Sequence, residues 1–194
     1  MKTLKLRIDR RINGRQGQHR QARIADGTIL LQQEYRELCE EYARVVKAFF
    51  IDRLISLCFF GSVARGDAMP ESDIDALVVA EGLAADIGGR VRRTNPIHET
   101  LRRSEAYRRL RSQGRSAFVS DVFLTPNEVK AHPPILLDLT EDSELVYDRD
   151  RFLQGVLEDI RRRLKELGAR KVKAQKGHYW ILKPGAEPTE VVEI

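Results

Sequence analysis

Two aspartates separated by a single residue stand inside an apolar segment, in the stretch SDIDALVV that begins at Ser72. In a β-strand, residues i and i+2 point to the same face and lie about 6.6 Å apart along the chain. Asp73 and Asp75 would therefore project side by side, while Ile74 and Ala76 would face the other way. Two neighbouring carboxylates repel each other, and their burial is costly unless a cation compensates them. Divalent cations remove that penalty, and Mg²⁺ prefers a few carboxylate oxygens together with substrate phosphates.

A Gly-Ser pair precedes the aspartates at the end of the apolar run Leu54–Phe60. Gly61 has no side chain, so a phosphate can approach the backbone closely. Ser62 offers a hydroxyl and a backbone N–H at the start of a helical turn, where anions are favoured. Ser62 could cap a short helix as well, which is compatible with phosphate binding. We expect this turn to lie beside the paired carboxylates.

A third acid, Asp121, stands in the apolar segment AFVSDVFL. An acid in such surroundings needs a partner. If this third strand packs beside the second, Asp121 reaches the same metal ions and serves as a ligand, as the general base toward an attacking hydroxyl, or as both. The alternative is an ordinary acid at the end of a strand.

The combined pattern resembles that of the nucleotidyltransferases related to DNA polymerase β, particularly the minimal nucleotidyltransferases. The motifs that carry the resemblance are Gly61-Ser62, Arg65-Gly66 and Ser72-Asp73-Ile74-Asp75. The resemblance is strongest over Phe59–Val79 and weaker out to Leu124. One departure is Ala76, where family members commonly carry Leu or Val. It lies on the face away from the carboxylates, so we expect a change in packing only.

The resemblance implies an α+β fold with a mixed sheet flanked by helices. It further implies two Mg²⁺ ions, with Mn²⁺ as an alternative, held by Asp73, Asp75 and Asp121. A nucleoside triphosphate would be held through Gly61-Ser62. Such enzymes transfer a nucleoside monophosphate to a hydroxyl and release pyrophosphate, and ATP is the default substrate. The acceptor stays open: a protein tyrosine, an RNA end and an aminoglycoside hydroxyl all fit.

Arg65 and Ser72 complete the candidate nucleotide-binding residues. Arg65 either contacts a phosphate or pairs with Asp67, Glu71 or an acidic site residue, and we favour the pairing. Ser72 is expected to hydrogen-bond the backbone of its loop and thereby orient Asp73 from outside the metal site.

A binding protein on the same scaffold is the alternative function. Minimal nucleotidyltransferases often act as the antitoxin partner of a helical toxin, which they neutralise by adenylylation or by contact. A basic docking surface would suit that role. The three acids with the Gly-Ser turn favour the enzyme, because a pure binder has no need for a repulsive carboxylate cluster.

Basic charge is concentrated in two segments of this 194-residue chain, whose net charge is +5. Residues 1–23 hold eight Lys or Arg and one acidic residue, and Arg90–Arg115 holds nine Arg and two Glu. Such segments suit phosphates or an acidic partner protein. The alternative is a solvated arm and a solvated helix face.

Membrane insertion and secretion are not expected. The longest apolar run, Leu54–Phe60, is broken by Ser56 and is far shorter than the ~20 residues that span a bilayer. The basic N-terminal stretch is not followed by an apolar segment, unlike a secretory signal. The two cysteines, Cys39 and Cys58, lack metal-type spacing. We therefore expect reduced thiols and a cytoplasmic protein.

Apolar periodicity and turn residues predict the elements and the domains. The predicted helices cover residues 28–53, 96–112 and 150–167, with a short helix opened by a capping box at Thr125. The predicted strands cover residues 54–60, 74–80 and 117–124, with extended pieces at residues 135–139, 144–147, 177–183 and 190–194. The predicted domains are a basic arm (residues 1–27), a catalytic core (residues 28–132) and an extension of a helix plus a β-hairpin (residues 133–194). The stretch Gly177–Trp180 either stacks on a base or packs in a core, and we favour the core.

Overall fold

The structure, a computed structural model, describes residues 31–174 and 178–186. The described strands are β1 (Leu54–Phe60), β2 (Ile74–Ala80), β3 (Val119–Leu124), β4 (Ser143–Asp148), β5 (Arg170–Lys173) and β6 (His178–Ile181). The described α-helices are α1 (Gln33–Phe50), α2 (Gly61–Arg65), α3 (Ile87–Arg103), α4 (Glu105–Ser112), α5 (Pro126–Lys130), α6 (Ile135–Leu139) and α7 (Phe152–Glu166). Short 3₁₀ helices at Ile51–Arg53 and Arg149–Arg151 precede β1 and α7. The predicted arm of residues 1–27 and the β-like stretch of residues 190–194 lie outside the described residues.

A mixed four-stranded sheet in the order β3-β2-β1-β4 forms the centre of the fold, with helices around it. β1 is antiparallel to β2 and to β4, whereas β2 and β3 are parallel. Phe60 of β1 lies opposite Asp75, and Ala76 of β2 lies opposite Asp121. This α+β architecture confirms the predicted fold class.

The central strands β1 and β2 are buried almost throughout, which explains why both appear in the sequence as continuous apolar runs. One sheet face, carrying Phe59, Ala76 and Val78, belongs to a core that includes the buried side of α1. Leu38 and Tyr42 of α1 are at most 1% exposed. Full burial of a side chain such as Leu38 contributes roughly 1.5–3 kcal/mol of hydrophobic free energy.

The opposite sheet face carries Cys58 and Leu77, which are also fully buried. Asp148, at the end of β4, joins this sheet to the start of α7. Its carboxylate accepts a 2.6 Å hydrogen bond from the Ser56 hydroxyl and 2.9 Å bonds from the backbone N–H groups of Leu153 and Gln154. Asp148 therefore satisfies N–H groups that the first turn of a helix leaves unpaired.

Two of the predicted elements differ from the structure. The helix expected over residues 96–112 is two helices, α3 and α4, and Pro96 lies inside α3. The Ser104 side chain accepts a hydrogen bond from Tyr107 N–H and so begins a new helix. Residues 135–139, expected to be extended, form α6 directly after Pro134, which already has helical backbone angles. The capping box at Thr125 and Glu128 is present as predicted.

The chain divides into two compact units, of which the larger runs from Gly27 to Leu157. This unit includes β4, which pairs with β1. In the other unit, β5 and β6 form an antiparallel hairpin. Trp180 is 5% exposed there, and Lys171 Nζ lies 5.8 Å from the centre of its ring. The burial of Trp180 favours a packing role over base stacking.

Within residues 31–174 and 178–186, every helix is too short or too polar to cross a bilayer. Both cysteines are buried free thiols. Burial raises the pKa of the Cys58 thiol to about 12, so it stays protonated and unreactive.

Candidate active site

The turn between β1 and α2 is shaped by Gly61. Its φ of +73° lies in the left-handed region that glycine adopts at little cost. A Cβ atom at this position would sit well inside van der Waals distance of Asp75 Oδ2. The backbone of the turn therefore lies directly against the Asp75 carboxylate, and only glycine permits that approach.

Asp73 directly precedes β2 and Asp75 is its second residue, beside this turn. Burial is the main cause that raises the pKa of Asp75, and the negative charge of Asp73 raises it further, while Arg65 acts in the opposite direction. A raised pKa of this kind is the signature of a carboxylate that lacks sufficient positive compensation. A bound cation would therefore stabilise this pair of carboxylates.

Asp73 is held from one side by a residue that the sequence analysis missed. The Ser116 hydroxyl donates a 3.0 Å hydrogen bond to Asp73 Oδ1. Ser116 also donates its backbone N–H to Pro70 O, 2.6 Å away, which fixes the loop before β2. No spacing rule links Ser116 to Asp73, because the contact depends on how β3 approaches β2.

Arg65 ends α2 and forms two ion pairs. Its guanidinium lies 3.2 Å from Asp67 and 3.7 Å from Asp142, on the loop before β4. The pairing with Asp67 is one of the interactions expected for this residue, whereas Asp142 was not anticipated. Arg65 therefore links the turn to the edge of the sheet and places a positive charge near Asp75.

The two serines of the motif occupy different positions. The Ser72 hydroxyl accepts a 2.9 Å hydrogen bond from Met69 N–H, as expected for a residue that binds its own loop. Ser62 lies in the first turn of α2, and its carbonyl accepts hydrogen bonds from Gly66 and Asp67 N–H. Among the described residues, the Ser62 side chain has no hydrogen-bond partner.

Asp121 does not join the other two acids, which corrects the expectation that three carboxylates converge. Because it lies opposite Ala76, its side chain shares the face of Ala76, away from Asp75. There Tyr42 donates a 2.6 Å hydrogen bond to Asp121 Oδ2, and His98 Nε2 lies 3.0 Å from the same oxygen. These partners explain how an acid is tolerated in an apolar strand.

The residue of β3 that does lie opposite Asp75 is Ser120. Within the described residues no group of three His, Cys, Asp or Glu side chains could hold a metal ion. Asp73 and Asp75 supply two carboxylates, and Mg²⁺ commonly takes one or two carboxylates and completes its shell with substrate phosphates and water. The donor set therefore fits a divalent ion that arrives with a phosphate ligand.

Two sequence comparisons cover this region. A family model described as a nucleotidyltransferase domain matches residues 39–116, a range that contains the Gly61 turn and both aspartates but ends before Asp121. A Methanocaldococcus jannaschii protein named as a protein adenylyltransferase is 30% identical over 132 residues, which cover 67% of this chain and 83% of that protein.

Solved structures give weaker similarities. One is a toxin-antitoxin structure with AMP-PNP, at a TM-score of 0.42 and 14% identity, covering 66% of this chain and 91% of that chain. Another contains a tri-AMPylated Shewanella oneidensis HEPN toxin with an MNT antitoxin, at a TM-score of 0.40 and 14% identity, covering 68% and 92%. A third, described as a nucleotidyltransferase from Sulfolobus solfataricus, has a TM-score of 0.31 and 22% identity, covering 59% and 90%. The sequence relative and the family model together decide the assignment: this chain belongs to the nucleotidyltransferase domain family.

Proposed function

We propose that this protein transfers AMP from ATP to a hydroxyl group of a protein, in a reaction that depends on Mg²⁺. The observation that carries the proposal is the contact between the Gly61 turn and the Asp75 carboxylate. It puts a phosphate-accessible backbone and a carboxylate pair in need of a cation at one place. A nucleoside triphosphate with its Mg²⁺ matches both.

Each residue of the site has a distinct task in this proposal. The Gly61 turn and the Ser62 hydroxyl bind phosphate oxygens, and Asp73 and Asp75 hold the cation. Mg²⁺ held by these two carboxylates would neutralise the charge that develops on the phosphates. Arg65 holds the turn in place through Asp67. Positioning and electrostatics then provide most of the rate enhancement.

The transfer itself is a displacement at phosphorus. The acceptor oxygen bonds to the α-phosphorus, and the bond from that phosphorus to the bridging oxygen breaks. Pyrophosphate leaves, and the proton of the acceptor hydroxyl passes to solvent. The proposal gives Asp121 no part in this step, and its position opposite Ala76, on the other face of the sheet, supports that choice.

A protein acceptor is supported by the relative that is named as a protein adenylyltransferase. A helical toxin partner is one candidate within this class. An RNA end and a small-molecule hydroxyl are the competing acceptors, and the labelling experiment below separates them.

The test uses the full chain with Mg²⁺, a cell lysate and ATP radiolabelled at either the α- or the γ-phosphate. We expect label from the α-position only, in a product that protease removes and ribonuclease leaves intact. Parallel reactions with the other nucleoside triphosphates test base preference, and ATP should give the strongest signal. Transfer of γ-label would instead indicate a kinase and overturn the proposal.

Matched variants make the assignment specific. Asp73→Asn and Asp75→Asn should each remove transfer, because the cation loses a ligand. Glu71→Gln removes an exposed carboxylate from the same loop and should leave transfer unchanged. A stoichiometric protein partner that still binds the Asp73→Asn variant, without any labelled product in the wild type, would favour the antitoxin-type binding function.

A further inference from the structure

A second candidate binding site lies at the end of the sheet opposite Asp75. A cavity of about 280 Å³ is lined by residues from the end of α1, from the loop after β2 and from α3, notably Phe49, Phe50, Arg53, Gly82, Arg90 and Arg93. Arg53 directly precedes β1, and Leu54 pairs with Ala80 at the end of β2. The seven residues of β1 separate this cavity from the Gly61 turn by roughly 20 Å.

Arg53 is held in place by its surroundings. Its guanidinium lies 5.4 Å from the centre of the Phe50 ring, a cation–π contact. The side chain also runs along Gly82, where a Cβ atom would lie 3.5 Å from Arg53 Nη1. The Arg53 carbonyl accepts a 2.9 Å hydrogen bond from Glu81 N–H, so backbone and side chain are both positioned.

Arg90 forms a rigid wall of the cavity, and its charge is already compensated. It makes hydrogen bonds of 3.0 and 2.7 Å to the Glu128 carboxylate and donates to the carbonyls of Ala84 and Phe123. The hydrogen bonds from Arg90 hold the pKa of Glu128 at about 2, so this pair stays ionised at physiological pH.

The remaining two arginines of the cavity carry uncompensated charge. Within residues 31–174 and 178–186, neither Arg53 nor Arg93 forms an ion pair with a carboxylate. Asp86, the acid directly before α3, is occupied as the cap that accepts a 2.6 Å hydrogen bond from Gly89 N–H. Two free guanidinium groups thus line one concave site, where a low-dielectric wall strengthens their field.

We propose that this cavity binds a phosphate dianion, either free or as the phosphate of a mononucleotide. Guanidinium groups match phosphate geometry and can bind two oxygens at once. The half-buried Phe49 ring packs edge-to-face on the buried Phe50 ring, with 4.9 Å between ring centres, and gives the cavity an aromatic wall against which a flat base can pack. The volume is close to the lower limit of small-molecule sites, which restricts the ligand to a compact one.

This site is independent of the proposed transfer reaction, because it uses no residue of the Gly61 turn or the aspartate pair. It also gives a role to part of the basic segment Arg90–Arg115, which the proposed active site leaves unused. Within that segment, Arg90 is paired with Glu128, whereas Arg93 joins Arg53 in the lining of the cavity.

The test is calorimetric titration of the full chain with inorganic phosphate, AMP and adenosine, in EDTA to exclude metal-dependent binding at Asp73 and Asp75. Phosphate and AMP should bind and adenosine should not, and tighter binding of AMP would identify the mononucleotide as the ligand. Arg53→Gln and Arg93→Gln should each weaken phosphate binding by about ten-fold or more. Arg53→Lys keeps the charge and should retain part of the affinity.

Arg92→Gln is the matched control, since Arg92 is exposed on α3 and is not part of the cavity lining. It should bind phosphate like the wild type, and so should Asp73→Asn. Equal weakening by Arg92→Gln and Arg93→Gln, or altered phosphate binding in Asp73→Asn, would overturn the assignment. Circular dichroism of each variant checks that the fold is intact, and loss of binding in a folded Arg53→Gln or Arg93→Gln variant supports the site.

Discussion

The backbone of Gly61 lies so close to the Asp75 carboxylate that no side chain fits between them. This contact joins the end of β1 to the start of β2, and Gly61 and Ser62 in the turn are partly exposed. A carboxylate beside an anion-binding turn is unfavourable by itself. It becomes favourable when a cation bridges the two, and this is the physical basis of the proposed site.

Gly61→Ala should impair both folding and transfer. The new methyl group would collide with Asp75, and the φ of +73° would be strained, at a cost on the order of 1–3 kcal/mol in unfolding free energy. Gly66→Ala is the matched control, because Gly66 has a similar φ of +84° but no atom within 4 Å of an added Cβ. Chemical denaturation should show a smaller loss for Gly66→Ala, and equal losses would mean that the contact with Asp75 is unimportant.

Asp75→Asn should stabilise the metal-free protein while reducing transfer by about a hundred-fold or more. The folded state raises the pKa of Asp75, so its ionised form costs stability. That cost develops as pH rises above the ordinary aspartate pKa and is complete once pH exceeds the raised pKa of Asp75 in the folded state. Thermal unfolding measured at several pH values should therefore show the melting temperature of the variant rising relative to that of the wild type as pH increases.

Mg²⁺ provides the complementary measurement for Asp75. The ion should raise the melting temperature of the wild type at neutral pH and have little effect on Asp75→Asn. Glu71→Gln should respond to Mg²⁺ like the wild type. A wild-type protein that melts at the same temperature with and without Mg²⁺ and ATP would contradict the carboxylate pair as a cation site.

Tyr42→Phe should lower stability without lowering transfer per folded molecule. It removes the 2.6 Å hydrogen bond to a largely buried carboxylate, which is worth about 1.5–3 kcal/mol. Tyr35→Phe is the control on the same helix, since Tyr35 is equally buried but donates to the neutral carbonyl of Met69. It should cost about 0.5–1.5 kcal/mol. Loss of transfer in a folded Tyr42→Phe variant would indicate that Asp121 takes part in the reaction.

Ser116→Ala should reduce transfer by about ten-fold and raise the Mg²⁺ concentration needed for half-maximal rate. The hydroxyl orients Asp73, and groups that orient a metal ligand typically affect affinity or activity by about 10–100-fold. Ser116→Thr, which keeps the hydroxyl, should restore most of the activity. Ser112→Ala removes a hydroxyl that bonds only within its own helix end, and its Mg²⁺ dependence should match the wild type.

The strands at Leu54–Phe60 and Ile74–Ala80 were predictable from the sequence with their boundaries. Both are continuous apolar runs, because both are covered on two faces. The capping box at Thr125 was equally clear, since it depends on residues three apart. Apolar runs and capping boxes can be predicted because all their residues lie within a short stretch of the sequence.

The orientation of Asp121 could not be read from the sequence. Val119, Asp121 and Phe123 form one alternating set, and Ser120, Val122 and Leu124 form another that is almost as apolar. Which set faces Asp75 depends on the parallel register between β2 and β3, and a shift of one residue reverses it. The partners of Asp121 come from α1 and α3, far away in the chain.

The cavity around Arg53 and Arg93 is hidden for a related reason. The sequence shows how many arginines the segment from Arg90 to Arg115 contains, but not which of them meet an acid. That division follows from the packing of α3 against the end of α1 and from the position of Glu128 on α5. Charge balance at this surface is a property of the tertiary structure.

Titration of the purified chain with a non-hydrolysable ATP analogue, with and without Mg²⁺, tests the central claim most directly. We predict that the wild type binds the analogue more tightly when Mg²⁺ is present, and that the Asp73→Asn, Asp75→Asn double variant shows no dependence on the ion. Equal binding by the wild type with and without Mg²⁺, or Mg²⁺-dependent binding that survives in the double variant, would contradict it.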